Sequence, residues 1–244
     1  MKQDTKRTPA RENDQHDEGH LVLYEDNHLL ALFKPPGILV QGDRTGDRTL
    51  LDMARGYIAE KYNKPGRVYI GLVHRLDRPV AGVVIFARTS KASARLCAQI
   101  RERRIEKVYW AVLQGTPSPP AGDLAGHIIR HGRKSFISIK EREKAQEAIL
   151  TYRTMESLAG FSLVEIILGT GRHHQIRVQM AAAGHPVLGD IKYGSSHPLP
   201  ERAIALLAKR LVVEHPTRHK RIEIESPVPH NWPWPPGSHI RLQE

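Results

Sequence analysis

From residue 21 onward the chain alternates between short apolar runs and polar breaks rich in Gly and Pro. Leu21-Val22-Leu23-Tyr24 and His28-Leu29-Leu30-Ala31-Leu32-Phe33 read as two strands around the turn Glu25-Asp26-Asn27, and Pro35-Pro36-Gly37 ends the second. Leu50, Leu51, Ala54, Tyr57 and Ile58 recur at helical spacing, which predicts a helix over 50–62. Val83-Val84-Ile85-Phe86 is a continuous apolar run, as in a buried strand. Ser90 is a candidate cap for a helix reaching residue 104 and burying Leu96 and Ile100. Residues 107–113 read as a strand, after which Pro117, Pro119, Pro120 and Gly122 break the pattern. Further strands are predicted over 136–140, 149–155 and 161–168. A helix is predicted from near His174 to Gly184, a C-cap candidate. Arg221-Ile222-Glu223-Ile224-Glu225 alternates like an edge or half-exposed strand.

Strands outnumber helices in this reading and do not alternate with them. That predicts an α+β fold with a large mixed or antiparallel sheet rather than a doubly wound one. Residues 1–19 are polar and mixed in charge and are expected to be a disordered tail. No linker divides the remainder, so 20–244 is expected to be one domain.

Charge changes the picture. The chain of 244 residues carries a formal net charge of +11. The first 20 residues hold four Lys/Arg against five Asp/Glu, so the rest carries +12. The positive charge belongs to the body, as expected of a protein that meets phosphates, although solubility alone would account for it equally well. Arg88 to Trp110 holds seven Lys/Arg against two Asp/Glu. This is a candidate RNA-facing surface, and a solvated helix face would look the same. A single cysteine, Cys97, excludes an internal disulfide and suits a cytoplasmic setting. No apolar run approaches the ~18 residues of a membrane span, so no membrane partner is expected.

Three segments carry candidate chemistry. In Gly71-Leu72-Val73-His74-Arg75-Leu76-Asp77-Arg78-Pro79-Val80-Ala81-Gly82, a carboxylate lies between two arginines that favour its ionised form; most such neighbours are only loop salt bridges. In Lys107-Val108-Tyr109-Trp110-Ala111, alternation puts Lys107 and Tyr109 on one face, where the tyrosine can stack on a base or merely fill the core. The third is Gly169-Thr170-Gly171-Arg172-His173-His174-Gln175-Ile176-Arg177, continuing to Gly184-His185-Pro186-Val187-Leu188-Gly189-Asp190-Ile191-Lys192-Tyr193-Gly194. It joins a strand end to a helix start, where backbone amides favour anions, and Arg177 sits within the first turns. Adjacent His173 and His174 on a helix would point in different directions. The fourteen histidines form no recognised ligand pattern, and no metal is expected.

Taken together, these segments resemble the motifs of the RluA-type RNA pseudouridine synthases. His74-Arg75-Leu76-Asp77 with Gly82 is similar to the family's first signature, Lys107-x-Tyr109 to its second, and Gly171-Arg172-x-His174-Gln175-Ile176-Arg177 to its third. The Gly-x-Pro-x-x-Gly-Asp-x-x-Tyr-Gly run at 184–194 resembles the family as well. The likeness spans roughly residues 21–230, in the family's order. It implies a pseudouridine synthase fold, a mixed, mainly antiparallel sheet around an RNA-binding cleft, and an isomerase that needs no cofactor. It also implies roles: Asp77 as the essential carboxylate, Tyr109 as the active-site tyrosine, and Arg177 as the basic partner of Asp77. Arg75 would help flip the base and hold a phosphate, with His74, Arg172, His174 and Gln175 as further RNA-binding positions. The implied partner is ribosomal or transfer RNA, with a monomer favoured. Val80-Ala81 stand where the family usually carries Thr-Ser.

Two other classes are consistent with parts of the pattern. A non-catalytic RNA-binding protein would keep the fold, and a metal-free ribonuclease would use His74 and His174 as acid and base. RNA affinity is expected to fall steeply with salt in all readings that put the basic body against phosphates. Each phosphate neutralised on a single strand contributes about 0.7 to the log–log slope. Arg75, Arg101, Arg103 and Arg104 are expected contributors; a salt titration of binding that gave no slope would assign the charge to solubility alone.

Overall fold

The computed structural model describes residues 22–138 and 144–235. The expected tail at 1–19 and the last two residues of the strand expected over 136–140 lie outside them. Among the described residues eleven strands form one sheet, with three α-helices beside it. They are β1 (Val22–Glu25), β2 (Leu29–Lys34), α1 (Leu50–Lys61), β3 (Gly71–Leu72), β4 (Ala81–Ala87), α2 (Ser90–Arg101) and β5 (Glu106–Gln114). There follow β6 (Ala121–His131), β7 (Lys134–Ser138), β8 (Gln146–Leu158), β9 (Phe161–Leu168), α3 (Gln175–Ala182), β10 (Leu206–Glu214) and β11 (Arg221–Glu225). The sheet runs β1-β2-β4-β10-β5-β9-β8-β6-β7, with β3 on β4 and β11 on β10. Among the described residues only β4 and β10 pair in parallel; every other pairing is antiparallel. The fold is therefore α+β with a mixed, mainly antiparallel sheet.

Local chemistry accounts for the helix ends. Thr49 caps α1 by accepting from the Asp52 N–H, and Asp52 reaches back to the Thr49 N–H, a complete capping box. Thr89, not Ser90, caps α2, because its side chain is the one that accepts from Ala92 N–H. That helix stops at Arg101 and buries Gln99 beside Leu96, leaving Ile100 half-buried. Gln99 belongs inside because its amide exchanges two hydrogen bonds with the backbone of Glu214 on β10.

Three strands have no counterpart in the sequence reading: the short β3, β6 and β10. β6 begins right after the prolines, where a break was expected, and most of its positions are half or fully exposed, so no hydrophobic alternation announces it. β10 lies in the middle of the sheet. Its Lys209-Arg210 step interrupts two apolar stretches, because β10 changes partners there. Its first residues pair with Ala81 and Gly82 of β4, and from Arg210 the same side pairs with β11. β5 takes the other side throughout.

Gly82 marks the seam. Its φ is +127°, and a Cβ there would lie 2.4 Å from the Ala208 carbonyl oxygen. Val80 and Ala81, just before it, are buried in the core, so apolar residues there strand no hydroxyl. Among the described residues no helix is long and apolar enough to cross a membrane.

Gly82→Ala is expected to cost at least about 2 kcal/mol through strained φ and close approach. Gly56→Ala, in α1 with open space around it, is expected to gain roughly 0.5–1 kcal/mol. Urea unfolding of the two variants checks the contrast.

Candidate active site

The segment between β3 and β4 carries His74, Arg75 and Asp77, and several anchors fix its course. Lys34, fully buried at the end of β2, donates its three N–H groups to the carbonyls of Pro35, Ile38 and Arg78 at 2.9, 2.8 and 3.0 Å. An ammonium has three donors, and here each finds a carbonyl. Burial pulls Lys34 down to about 7, against the raising influence of the nearby Asp77 charge. Gly37 N–H also donates to the Arg78 carbonyl, and Arg78 Nε returns a bond to the Gly37 carbonyl. The Asp77 carbonyl accepts from Val80 N–H, closing a turn around the carboxylate. Farther up the segment, His74 Nε2 accepts from Ile85 N–H at 3.0 Å, and burial beside Lys107 lowers its pKa to about 3.

α3 supplies the opposing charge. Arg177, 5 % exposed, donates Nε and Nη2 to Asp190 Oδ2 and Oδ1 at 2.6 and 2.9 Å, and Nη1 to Asp77 Oδ2 at 3.0 Å. Asp190 is 1 % exposed and Asp77 27 %. The Tyr193 ring lies 5.1 Å from the guanidinium carbon. His174 is the N-cap of α3 with φ +57°, and its Nε2 lies 3.4 Å from Asp77 Oδ2. His173 and His174 do not diverge as helical neighbours would. The left-handed turn stacks their rings at 3.8 Å.

Asp77, Tyr109 and Arg177 line one cavity of about 560 Å³, together with Arg75, Arg101, Arg103, Lys107 and Arg172. Tyr109 enters from β5. Burial and the Asp77 charge push its hydroxyl above the ordinary phenol range, so it stays protonated, and it has no hydrogen-bond partner among the described residues. Lys107, on the same face of β5, forms no hydrogen bond or ion pair with a described residue, and burial lowers its pKa.

The other expected RNA-binding positions divide. Arg75 is exposed, and Arg172 lines the cavity while its Nε donates to the Glu147 carbonyl. Gln175 is 3 % exposed and spent internally: it accepts from Thr170 Oγ1 and Arg172 N–H and donates to the Ile149 carbonyl. Gln175 therefore braces the glycine-rich turn while also lining the cavity. Arg103 and Arg104 pair with Glu147, Glu102 and Glu214 at the surface.

Sequence reasoning passed over Lys34 and gave no role to Asp190 or Tyr193. The signal for Lys34 was a lysine closing a strand of otherwise apolar residues. For the other two it was the Gly-Asp-x-x-Tyr-Gly spacing itself.

Residues 28–182, well over half the chain, match the family model described as RNA pseudouridylate synthase. Ribosomal large subunit pseudouridine synthase D of Pseudomonas aeruginosa is 32 % identical over 230 residues, covering 87 % of this chain and 69 % of that one. An uncharacterized RNA pseudouridine synthase of Mycobacterium bovis is 34 % identical over 220 residues, covering 87 % and 70 %. The human RNA pseudouridylate synthase domain containing 4 shares the fold, with a TM-score of 0.77 at 23 % identity over 88 % of this chain and 92 % of that one. The chain belongs to the RluA-type family of RNA pseudouridine synthases, isomerases that convert uridine in RNA to pseudouridine.

Proposed function

We propose that this enzyme isomerises a uridine of large-subunit ribosomal RNA, with Asp77 as the group that acts on the ribose and a single catalytic domain working as a monomer in the cytoplasm. The observation that carries the reading is the Asp77 carboxylate, held by Arg177 and opening on a cavity rimmed by arginines. The ribosomal target follows the name of the Pseudomonas aeruginosa relative, a ribosomal large subunit pseudouridine synthase; transfer RNA is the other substrate class in view.

The reaction breaks the bond from the ribose to N1 of uracil, rotates the base, and joins the ribose to C5. C5 loses a proton and N1 gains one, so atoms and electrons balance without a cofactor. The chemistry asks for one ionised carboxylate, either to add to the anomeric carbon or to remove the 2′ proton. Arg177 holds the Asp77 carboxylate in place through the bond to Oδ2. The base must first leave its stack, at a cost of a few kcal/mol. Arg75, exposed at the rim, is suited to fill the vacated space, and phosphate contacts to the basic rim offset the cost. Tyr109 offers its ring to the uracil; as a neutral phenol it donates a hydrogen bond rather than taking the C5 proton.

Asp77→Asn keeps the shape and removes the charge. It is expected to abolish tritium release from large-subunit RNA transcribed with 5-tritiated uridine while RNA affinity stays within about two-fold. Substantial release by the purified variant would refute the assignment, and wild-type protein that bound this RNA without releasing tritium would refute the large-subunit target.

Arg177→Lys is expected to keep some activity, since lysine supplies a point charge in place of the fork. Arg177→Met is expected to lose activity and about 3–5 kcal/mol of stability, because it leaves the buried Asp190 unpaired. Equal thermal stability of Arg177→Met and wild type would show that Asp190 is neutral or solvated without its partner.

A further inference from the structure

The Gly189-Asp190-x-x-Tyr193-Gly194 run folds into a short 3-10 turn, Ile191–Tyr193, beside α3. Asp190 has an evident task in the grip on Arg177. Tyr193 is 9 % exposed, yet its hydroxyl sits in a chain of polar contacts that simple packing does not require. Its oxygen accepts from Ser135 N–H of β7 at 2.8 Å and lies 2.7 Å from His174 Nδ1. On the far side of the same imidazole, Nε2 lies 3.4 Å from Asp77 Oδ2.

A neutral imidazole carries one proton, and its position decides what faces Asp77. With the proton on Nε2, an N–H lies on the side of the carboxylate, the nitrogen 3.4 Å from Oδ2. With the proton on Nδ1, a lone pair does, which is repulsive. Because the Tyr193 oxygen already accepts from Ser135, its own proton is available to Nδ1, and a ring that accepts at Nδ1 holds its proton at Nε2. Burial keeps His174 neutral, and Arg177 on α3, the stacked His173, Lys192 on the 3-10 turn and Arg130 on β6 oppose its protonation further. Asp77 is the anion that faces it. Arg177 Nη1 also donates to Oδ2, and no hydrogen bond from a described residue reaches Oδ1.

We propose that Tyr193 is a positioning residue that fixes the Nε2–H tautomer of His174, so that His174 and Arg177 both engage Oδ2 of Asp77 and leave Oδ1 to the substrate. The inference rests on the reading of Asp77 as the reacting carboxylate. The His174 ring is thereby assigned to the aspartate rather than to RNA, and Ser135 ties β7 to the same chain.

The test is Tyr193→Phe, which keeps the ring against Arg177 and removes only the hydroxyl. In protein labelled with 15N-histidine, the His174 signals, identified by their loss in His174→Gln, are expected to show the Nε2–H tautomer and no titration between about pH 5 and 8. In Tyr193→Phe they are expected to show a mixture of tautomers. On large-subunit RNA with 5-tritiated uridine, kcat of Tyr193→Phe is expected to fall about ten-fold with KM within about two-fold. Adding Tyr193→Phe to His174→Gln is expected to cost nothing further, because the hydroxyl acts through the imidazole. An unchanged tautomer in Tyr193→Phe, or additive losses in the double variant, would overturn the proposal. A wild-type enzyme that released no tritium from this RNA would overturn the substrate assignment instead and leave the tautomer measurement to decide this one.

Discussion

The guanidinium of Arg177 is divided between two carboxylates, Asp190 with two of its N–H groups and Asp77 with one, and much of the surrounding architecture serves that division. A buried guanidinium needs a partner of opposite charge, and Asp190 provides it without help from the solvent. Asp77 is left with a single bond from the fork and with a face toward the cavity. A full bidentate grip on Asp77 would have neutralised it more completely and taken both of its oxygens. The second carboxylate therefore sets how tightly the first is held.

The counterpart on the other side is mechanical. Asp77 stands on an irregular segment, and such segments move unless their backbone groups are occupied. Here the Lys34 ammonium and the Gly37 amide both end on the Arg78 carbonyl, one residue from Asp77, while His74 is spent on the amide of Ile85. A charge inside the core is costly, and three carbonyl acceptors offset that cost. Rigid backbone below and a shared guanidinium beside it give the carboxylate one orientation.

How much of this was legible in the sequence follows from the range of each interaction. α1, β4 and β9 declare themselves through local periodicity, because each buries a continuous face. β6 does not, since nearly all of it is half or fully exposed and its sequence carries no hydrophobic alternation. β10 escapes for a different reason: its pattern changes where its partner changes from β4 to β11, and a window read as one strand sees two. The meeting of Asp77 with Arg177 spans 100 residues, and no local signal predicts it; the likeness of the motifs does. Gln175 shows what that route leaves out: its bonds to Thr170, Arg172 and Ile149, which brace the turn at the cavity wall, follow from no motif.

The place of β10 also bears on how the chain reaches this state. β4 and β5 follow one another in sequence with only α2 between them, yet they are not neighbours; β10, nearly one hundred residues later, is inserted between them. During synthesis the first half of the sheet emerges with two apolar edges facing an unfilled slot. Such edges invite wrong pairings, and closing them waits on a contact of high sequence separation, which slows folding. The edge of β4 begins at the end of the Asp77 segment, so the aspartate and its cavity take shape only when the C-terminal strands arrive. Completion of the sheet and completion of the cavity thus rest on the same late strand, whose Leu206 lines the cavity.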